Sequence, residues 1–268
     1  MSLYGNTVKT LTVTDIVAMK RRCEKISCVT VYDASFTAVC DEAGIDILLV
    51  GDSLGMVVQG HDSTLPVTIE DMIYHSRCVT RARKRAFIIA DLPFMTYPTP
   101  LIAAQHAAQL MQQGVQMVKL EGARLDCVQF LVEQGIPVCG HLGLLPQQIN
   151  HTGLYKIQGK TLKSAELLLE QAKQLQQAGA SLLVLECIPA SLAKTISQTI
   201  SIPVIGIGAG LDCDGQVLVL YDMLGISLGK TPRFSKNFMQ ETDSIQNAIL
   251  AYHQAVKQQQ FPTLAHSF

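Results

Sequence analysis

Four acidic residues, one lysine and one histidine stand where apolar runs stop, and these are the side chains that could do chemistry. Val118-Lys119-Leu120-Glu121-Gly122 sets an ammonium and a carboxylate two residues apart. In a strand, residues i and i+2 share a face, so Lys119 and Glu121 would project together where that strand ends. The run from Ile47 delivers Asp52, with Ser53 next to it, and the run from Phe87 delivers Asp91. His141 and Glu186 close two further runs. Three converging carboxylates repel one another unless they are protonated or bound to a cation. No cysteine or second histidine joins them at metal-ligand spacing, so hard oxygen donors point to Mg²⁺, or Mn²⁺ in its place, rather than zinc. Lys119 beside such a cation would favour an anionic substrate. Its plainer reading is a salt bridge to Glu121 or another neighbour.

A divalent cation with open positions can take an α-keto acid through its carboxylate and keto oxygens. It then stabilises the enolate that forms when a proton leaves the adjacent carbon. That step needs a base, and Glu186 is the candidate; a buried, salt-bridged structural glutamate is the alternative. His141 could orient a water or help a proton move, or be a hydrogen-bonded core residue. Taken singly, an aspartate after a strand often caps the next helix. Six such groups at equivalent strand ends are hard to explain by capping.

The elements that must position them follow in order. Residues 14–20 read as an N-terminal helix capped by Thr12 or Thr14. Strands are expected at 28–33, 47–52, 86–92, 117–122, 137–141, 181–186 and 203–207. The eighth lies within 215–224, where the periodicity fits helix or strand, or at 225–228. Helices are expected at 35–43, 69–85, from Thr99-Pro100 to Gly114, and at 125–134, 163–178, 189–199 and 242–260, before an irregular tail. Two long loops remain, 53–68 and 142–161, and the first is a candidate active-site loop. Arg81, Arg83, Lys84 and Arg85 end the helix 69–85. They read as partners of its C-terminal dipole in water, because this end lies away from the carboxylates; phosphate binding is the lesser alternative.

Strands alternating with helices and short glycine-ended turns indicate a parallel sheet, and eight such units favour a closed α/β architecture. The expectation is a single (β/α)8 TIM barrel over residues 1–268, with an N-terminal helix and a C-terminal helical extension. In a barrel of this kind catalytic groups lie at the C-terminal strand ends, where Asp52, Asp91, Lys119, Glu121, His141 and Glu186 all fall. Gly208-Ala209-Gly210 does not complete a dinucleotide fingerprint, since Cys213 takes the last position.

Composition narrows the partners. Of 268 residues, 48% are hydrophobic and 16% charged, which suggests apolar surface buried between subunits. A net charge of −1 gives no case for nucleic acid or an anionic membrane. No apolar run approaches the roughly 20 residues that cross a bilayer. Met1 to Thr7 carries no signal-peptide pattern. Eight cysteines occur without a C-x-x-C pair, and Cys28, Cys139 and Cys187 sit in apolar segments as small core residues. The expectation is a cytoplasmic protein with reduced thiols.

Several segments are more specific than this. They are Val50-Gly51-Asp52-Ser53-Leu54-Gly55-Met56, the run from Gln59 to Thr68, Ala90-Asp91-Leu92-Pro93-Phe94-Met95, and Val118-Lys119-Leu120-Glu121-Gly122. With them go Pro137-Val138-Cys139-Gly140-His141-Leu142-Gly143, Gly206-Ile207-Gly208-Ala209-Gly210 and Asp214-Gly215-Gln216. Together they resemble the ketopantoate hydroxymethyltransferase family, from residue 14 to the tail at His266-Ser267-Phe268. The resemblance implies a (β/α)8 barrel assembling as a homodecamer. It implies that the enolate of 3-methyl-2-oxobutanoate attacks the one-carbon unit of 5,10-methylenetetrahydrofolate, giving ketopantoate for pantothenate and coenzyme A synthesis. The family's Mg²⁺ ligands fall on Asp52, Asp91 and Glu121. Its substrate contacts fall on Ser53, Lys119, Asp52 and Asp91, with His141 beside them, and its proposed base on Glu186. The stretch His151-Thr152-Gly153-Leu154-Tyr155 has one glycine where two are more usual, and no separate folate motif stands out. An Mg²⁺-dependent C–C lyase of the phosphoenolpyruvate/isocitrate-lyase type is the alternative, separated by folate dependence. A non-catalytic binding protein on a retained fold is the third reading, and five intact candidate residues argue against it.

Overall fold

Eight short, buried parallel strands pair in sequence order, and the last returns to pair with the first, closing a barrel. The computed structural model describes residues 9–153, 156–229 and 231–268. Met1 to Thr7, and Leu154 and Tyr155 of the single-glycine stretch, lie outside the described residues.

Helix α1 (Val13–Arg21) starts at Thr12, not Thr14. The Thr12 hydroxyl accepts the Asp15 N–H, and Asp15 answers to the Thr12 N–H. The chain then alternates β1 (Ile26–Thr30), α2 (Ala34–Glu42), β2 (Ile47–Val50), a short α3 (Leu54–Val57), α4 (Ile69–Ala82), β3 (Phe87–Asp91), α5 (Pro100–Met111) and β4 (Met117–Glu121). It continues through α6 (Leu125–Glu133), β5 (Val138–Gly143), α7 (Ile149–Thr152), α8 (Leu162–Gln177), β6 (Leu182–Glu186), α9 (Ala190–Thr199) and β7 (Val204–Ile207). It ends with β8 (Gly215–Leu218), α10 (Leu220–Leu224) and α11 (Ile245–Lys257).

Strand alternation divides the core in two. Ile47, Leu49, Phe87, Ile89, Met117, Cys139, Leu182, Val184, Ile205 and Val217 point inward and fill the barrel. Their neighbours, such as Leu48, Ile88, Val118, Leu183 and Val204, point outward beneath the helices. The N-terminal mouth is plugged by α1, whose Ile16 and Met19 join the inner cluster. Lys20 anchors this plug through the Ser197 and Ile202 carbonyls and Asp214, at 2.8, 3.0 and 2.7 Å. The seam between β8 and β1 is clamped by α11. Its Tyr252 hydroxyl donates to the carbonyls of Cys28 (2.7 Å) and Gln216 (2.9 Å).

Several boundaries differ from expectation for physical reasons. The first strand begins earlier and stops at Thr30; the Val31 N–H still donates to the Leu49 carbonyl at 2.9 Å, Val31 and Tyr32 carry the apolar pattern past the strand, and Asp33 caps α2 by accepting the Phe36 N–H. The segment 215–224 is strand and then helix, whereas 225–228 is neither. Helix α4 stops at Ala82, so only Arg81 lies in its last turn. Arg85 turns back to the buried Asp46 at 2.9 Å, and its guanidinium also donates to the carbonyls of Gly44 and Ile45. The basic run is therefore partly a structural clamp rather than only a solvated helix end. The loop 53–68 contains α3, and 142–161 contains a 3₁₀ turn (Pro146–Gln148) followed by α7. The last long helix spans Ile245–Lys257, shorter at both ends than expected, and the tail holds a 3₁₀ turn at Leu264–His266.

Candidate active site

Register explains why the candidate groups meet. Asp91 on β3 pairs beside Lys119 on β4, Glu121 beside His141 on β5, and Gly143 beside Glu186 on β6. All five of these polar side chains sit on inward-facing positions at the C-terminal mouth. Asp52, Asp91, Lys119, Glu121 and His141 are buried, and Glu186 is slightly more open.

The lysine pairs with Asp91 rather than with Glu121. Its Nζ lies 2.6 Å from Asp91 Oδ1, while Asp91 Oδ2 accepts the Asp52 backbone N–H at 3.0 Å. Burial alone would push the Lys119 ammonium down, but Asp91, Asp52 and Glu121 together outweigh it and hold the group charged. Burial pushes the Asp52 carboxyl well up, and the charges of Asp91 and Glu121 push it further the same way. The Asp52 carboxylate accepts from Gln147, and the Asp91 carboxylate from Lys119 and the Asp52 N–H, rather than from the first turn of the helix that follows each, so the capping explanation does not describe them.

His141 stands between two carboxylates. Its Nε2 is 3.2 Å from Glu186 Oε2 and its Nδ1 is 3.6 Å from Glu121 Oε1. Neither contact has hydrogen-bond alignment, so these are ion-pair distances. Burial would lower the imidazole, yet the two carboxylates prevail and raise it to about 9. The close passage of β5 and β6 depends on Gly143. There φ is +99°, and a Cβ would stand 2.2 Å from the Glu186 carbonyl oxygen.

Ser53 is half-buried, and its hydroxyl lies 2.9 Å from the Tyr32 hydroxyl, which in turn donates to Thr30 Oγ1 at 2.8 Å. Tyr32 was not singled out from the sequence, nor were Tyr97 and Gln147. Gln147 Nε2 donates to Asp52 Oδ2 at 2.8 Å, and its backbone N–H donates to Glu121 Oε2 at 3.1 Å. The Tyr97 hydroxyl donates to Gln147 Oε1. Their sequence context, aromatic or amide residues in loops, carries no periodicity that marks them.

The donor set fits a hard divalent cation. Three buried carboxylates lie at the ends of adjacent strands, and a cation would offset the burial and the mutual repulsion that together drive Asp52 upward. Lys119 and Gln147 supply the positive ends that face these oxygens here. Among the described residues no three His, Cys, Asp or Glu side chains are closed around one metal position.

The barrel and the carboxylates at its C-terminal mouth define the class as a TIM-barrel enzyme. By fold it is similar to members of the PEP mutase/isocitrate lyase superfamily. A 2,3-dimethylmalate lyase of that superfamily superposes with a TM-score of 0.60 at 16% identity over 81% of each chain. A phosphonopyruvate hydrolase, solved with oxalate and Mg²⁺, gives 0.60 at 9% identity over 78% of this chain and 81% of that one. Within the class, residues 10–264 match the family described as ketopantoate hydroxymethyltransferase, and the chain belongs to that family. The 3-methyl-2-oxobutanoate hydroxymethyltransferase of Marinobacter nauticus is 55% identical over 260 residues, covering 96% of this chain and 98% of the relative. That of Nitrosococcus oceani is 55% identical over 261 residues, covering 96% and 99%.

Proposed function

We propose that the chain transfers a hydroxymethyl group from 5,10-methylenetetrahydrofolate to 3-methyl-2-oxobutanoate, giving 2-dehydropantoate for pantothenate synthesis. The observation that carries this reading is the two-sided arrangement of the mouth. Asp52, Asp91, Glu121 and Lys119 gather on β2 to β4, and Glu186 faces them from β6 with His141 between. Membership of the family favours transfer over the cleavage that its fold relatives' names describe.

Asp52, Asp91 and Glu121 would hold Mg²⁺. When bound, the cation draws charge from the keto oxygen and so acidifies the neighbouring C3–H. Lys119 offers its ammonium to the anionic substrate, and Ser53, held by Tyr32, offers a hydroxyl. Glu186 takes the C3 proton. His141, charged between Glu121 and Glu186, keeps the base from repelling the other carboxylates and can pass a proton back. The methylene carbon then gives up its two bonds to the folate nitrogens as it bonds to C3 and takes its hydroxyl oxygen from water; the proton from C3 and one from water go to those nitrogens, and tetrahydrofolate leaves. Burial of the site limits competing water.

The chain works, in this reading, as one barrel domain in the cytoplasm. Among the described residues no helix is long and apolar enough to cross a membrane, and the cysteines are free. A homodecamer is the proposed assembly; exposed Tyr74, Leu101, Leu162 and Leu228 are apolar surface that subunit contacts would cover. The test is product analysis with methylene-labelled methylenetetrahydrofolate and Mg²⁺. Label in a 2-oxo acid one carbon longer than the substrate supports the reading. Cleavage of a larger acid without folate would instead make the chain a lyase.

A further inference from the structure

Gln147 joins two of the proposed cation ligands to each other, and the proposed reaction makes no use of it. It lies in the 3₁₀ turn after β5, is 4% exposed, and both N–H groups and the carbonyl oxygen of its side-chain amide are engaged. Nε2 donates to Asp52 Oδ2 at 2.8 Å and to the Leu92 carbonyl at 3.0 Å, while Oε1 accepts from Tyr97. Its own backbone N–H donates to Glu121 Oε2 at 3.1 Å. Tyr97 completes a ring, because its hydroxyl oxygen accepts the Glu121 backbone N–H at 3.3 Å. One residue from the β5 loop thus reaches the ends of β2, β3 and β4 at once.

A buried amide with all its donors and acceptor engaged has a single favourable orientation, since any rotation strands a polar group away from water. Carboxylates that bind a metal are aimed by such outer hydrogen bonds. A loop staple with no further role would need only the Leu92 carbonyl and Tyr97. The contacts to Asp52 and Glu121 are additional, and they fall on the two acidic side chains that flank Asp91.

We propose that Gln147 is a positioning residue of the cation site, aiming Asp52 and Glu121 and coupling the segment Pro146–Thr152 to cation occupancy. This rests on the cation reading given above. Because coupling is reciprocal, a cation that uses Asp52 and Glu121 steadies the segment, and loosening the segment weakens the cation.

The test is Mn²⁺ binding to the purified full chain without substrate, followed by electron paramagnetic resonance, for wild type, Gln147→Met and Tyr97→Phe. Methionine keeps the volume and removes every side-chain hydrogen bond. The expected result is Mn²⁺ affinity lower by about 10- to 100-fold in Gln147→Met, with a smaller loss in Tyr97→Phe. Hydrogen exchange of residues 146–152 is expected to slow when Mg²⁺ is added to wild type, and not in Gln147→Met. A folded Gln147→Met whose Mn²⁺ affinity stays within about twofold of wild type overturns the proposal. If Gln147→Met fails to fold, unchanged affinity in Tyr97→Phe does so instead. A wild type that binds no Mn²⁺ overturns the cation reading itself, and this inference with it.

Discussion

The Lys119 ammonium lies 2.6 Å from the Asp91 carboxylate on the neighbouring strand, and both side chains are buried. Breaking a buried pair leaves one charge uncompensated, which costs about 3–5 kcal/mol. Lys119→Ala is therefore expected to lower the urea unfolding midpoint at pH 7. It is also expected to raise KM for 3-methyl-2-oxobutanoate, because the anion loses its proposed cationic partner. Unchanged KM in a folded Lys119→Ala protein would remove the lysine from substrate binding.

Glu186→Gln removes the proposed base while keeping the size of the side chain that faces His141. Turnover is expected to fall by about 10²- to 10⁴-fold, the usual contribution of a general base. Mn²⁺ and keto-acid affinity should hold, since Glu186 lies across the mouth from the carboxylate cluster. Steady-state kinetics beside a binding titration separates the two, and wild-type turnover in the variant would assign the base elsewhere.

Asp52→Ala and Asp91→Ala each delete a proposed ligand. Loss of an outer partner alone costs about 10- to 100-fold in metal affinity, so loss of a ligand is expected to cost at least that. Chelation should abolish wild-type activity, and Mg²⁺ should restore it. Identical Mg²⁺ dependence in both variants and wild type would exclude the two aspartates as ligands.

At the opposite mouth, Asp46 is fully buried between Arg85 (2.9 Å) and Lys257 (2.7 Å). Burial alone would raise its carboxyl, but Lys257, the Ser27 N–H and Arg85 prevail and hold it below the ordinary 3.8. A carboxylate with a depressed folded pKa stabilises fully above its unfolded value, and that stability disappears as pH falls through the folded one. Asp46→Asn is expected to cost about 2–3 kcal/mol at pH 7, less than a fully enclosed pair because both cations keep access to water. The gap between variant and wild type should narrow as pH drops below 3.8. A gap that stays constant from pH 7 to pH 3 would show that the pair contributes no ionic stability.

Most of the barrel was legible because strands buried on both faces read as continuous apolar runs, and glycines end the helices that follow them. The site was legible for the same reason, since a charged residue closing such a run is conspicuous, as with Asp91, Glu121 and Glu186. What escaped notice lies where no period exists. Gln147 and Tyr97 act through single contacts from loops, and Tyr32 looks like one more apolar residue of β1. The expected first strand runs late because Val31 and Tyr32 prolong its apolar pattern past Thr30, where only the Val31 N–H still reaches β2 at the Leu49 carbonyl. Arg85 reads as part of a helix end because nothing local signals its long-range partner Asp46.

The central claim is that this mouth withdraws the C3 proton of 3-methyl-2-oxobutanoate with help from a divalent cation. Proton NMR of that acid in D₂O, with the full chain and Mg²⁺, reads the step directly. The account predicts that the C3 signal fades as deuterium enters, that chelator stops the exchange, and that Glu186→Gln slows it. A C3 proton that persists with Mg²⁺, both without folate and with a folate analogue bound, would contradict it.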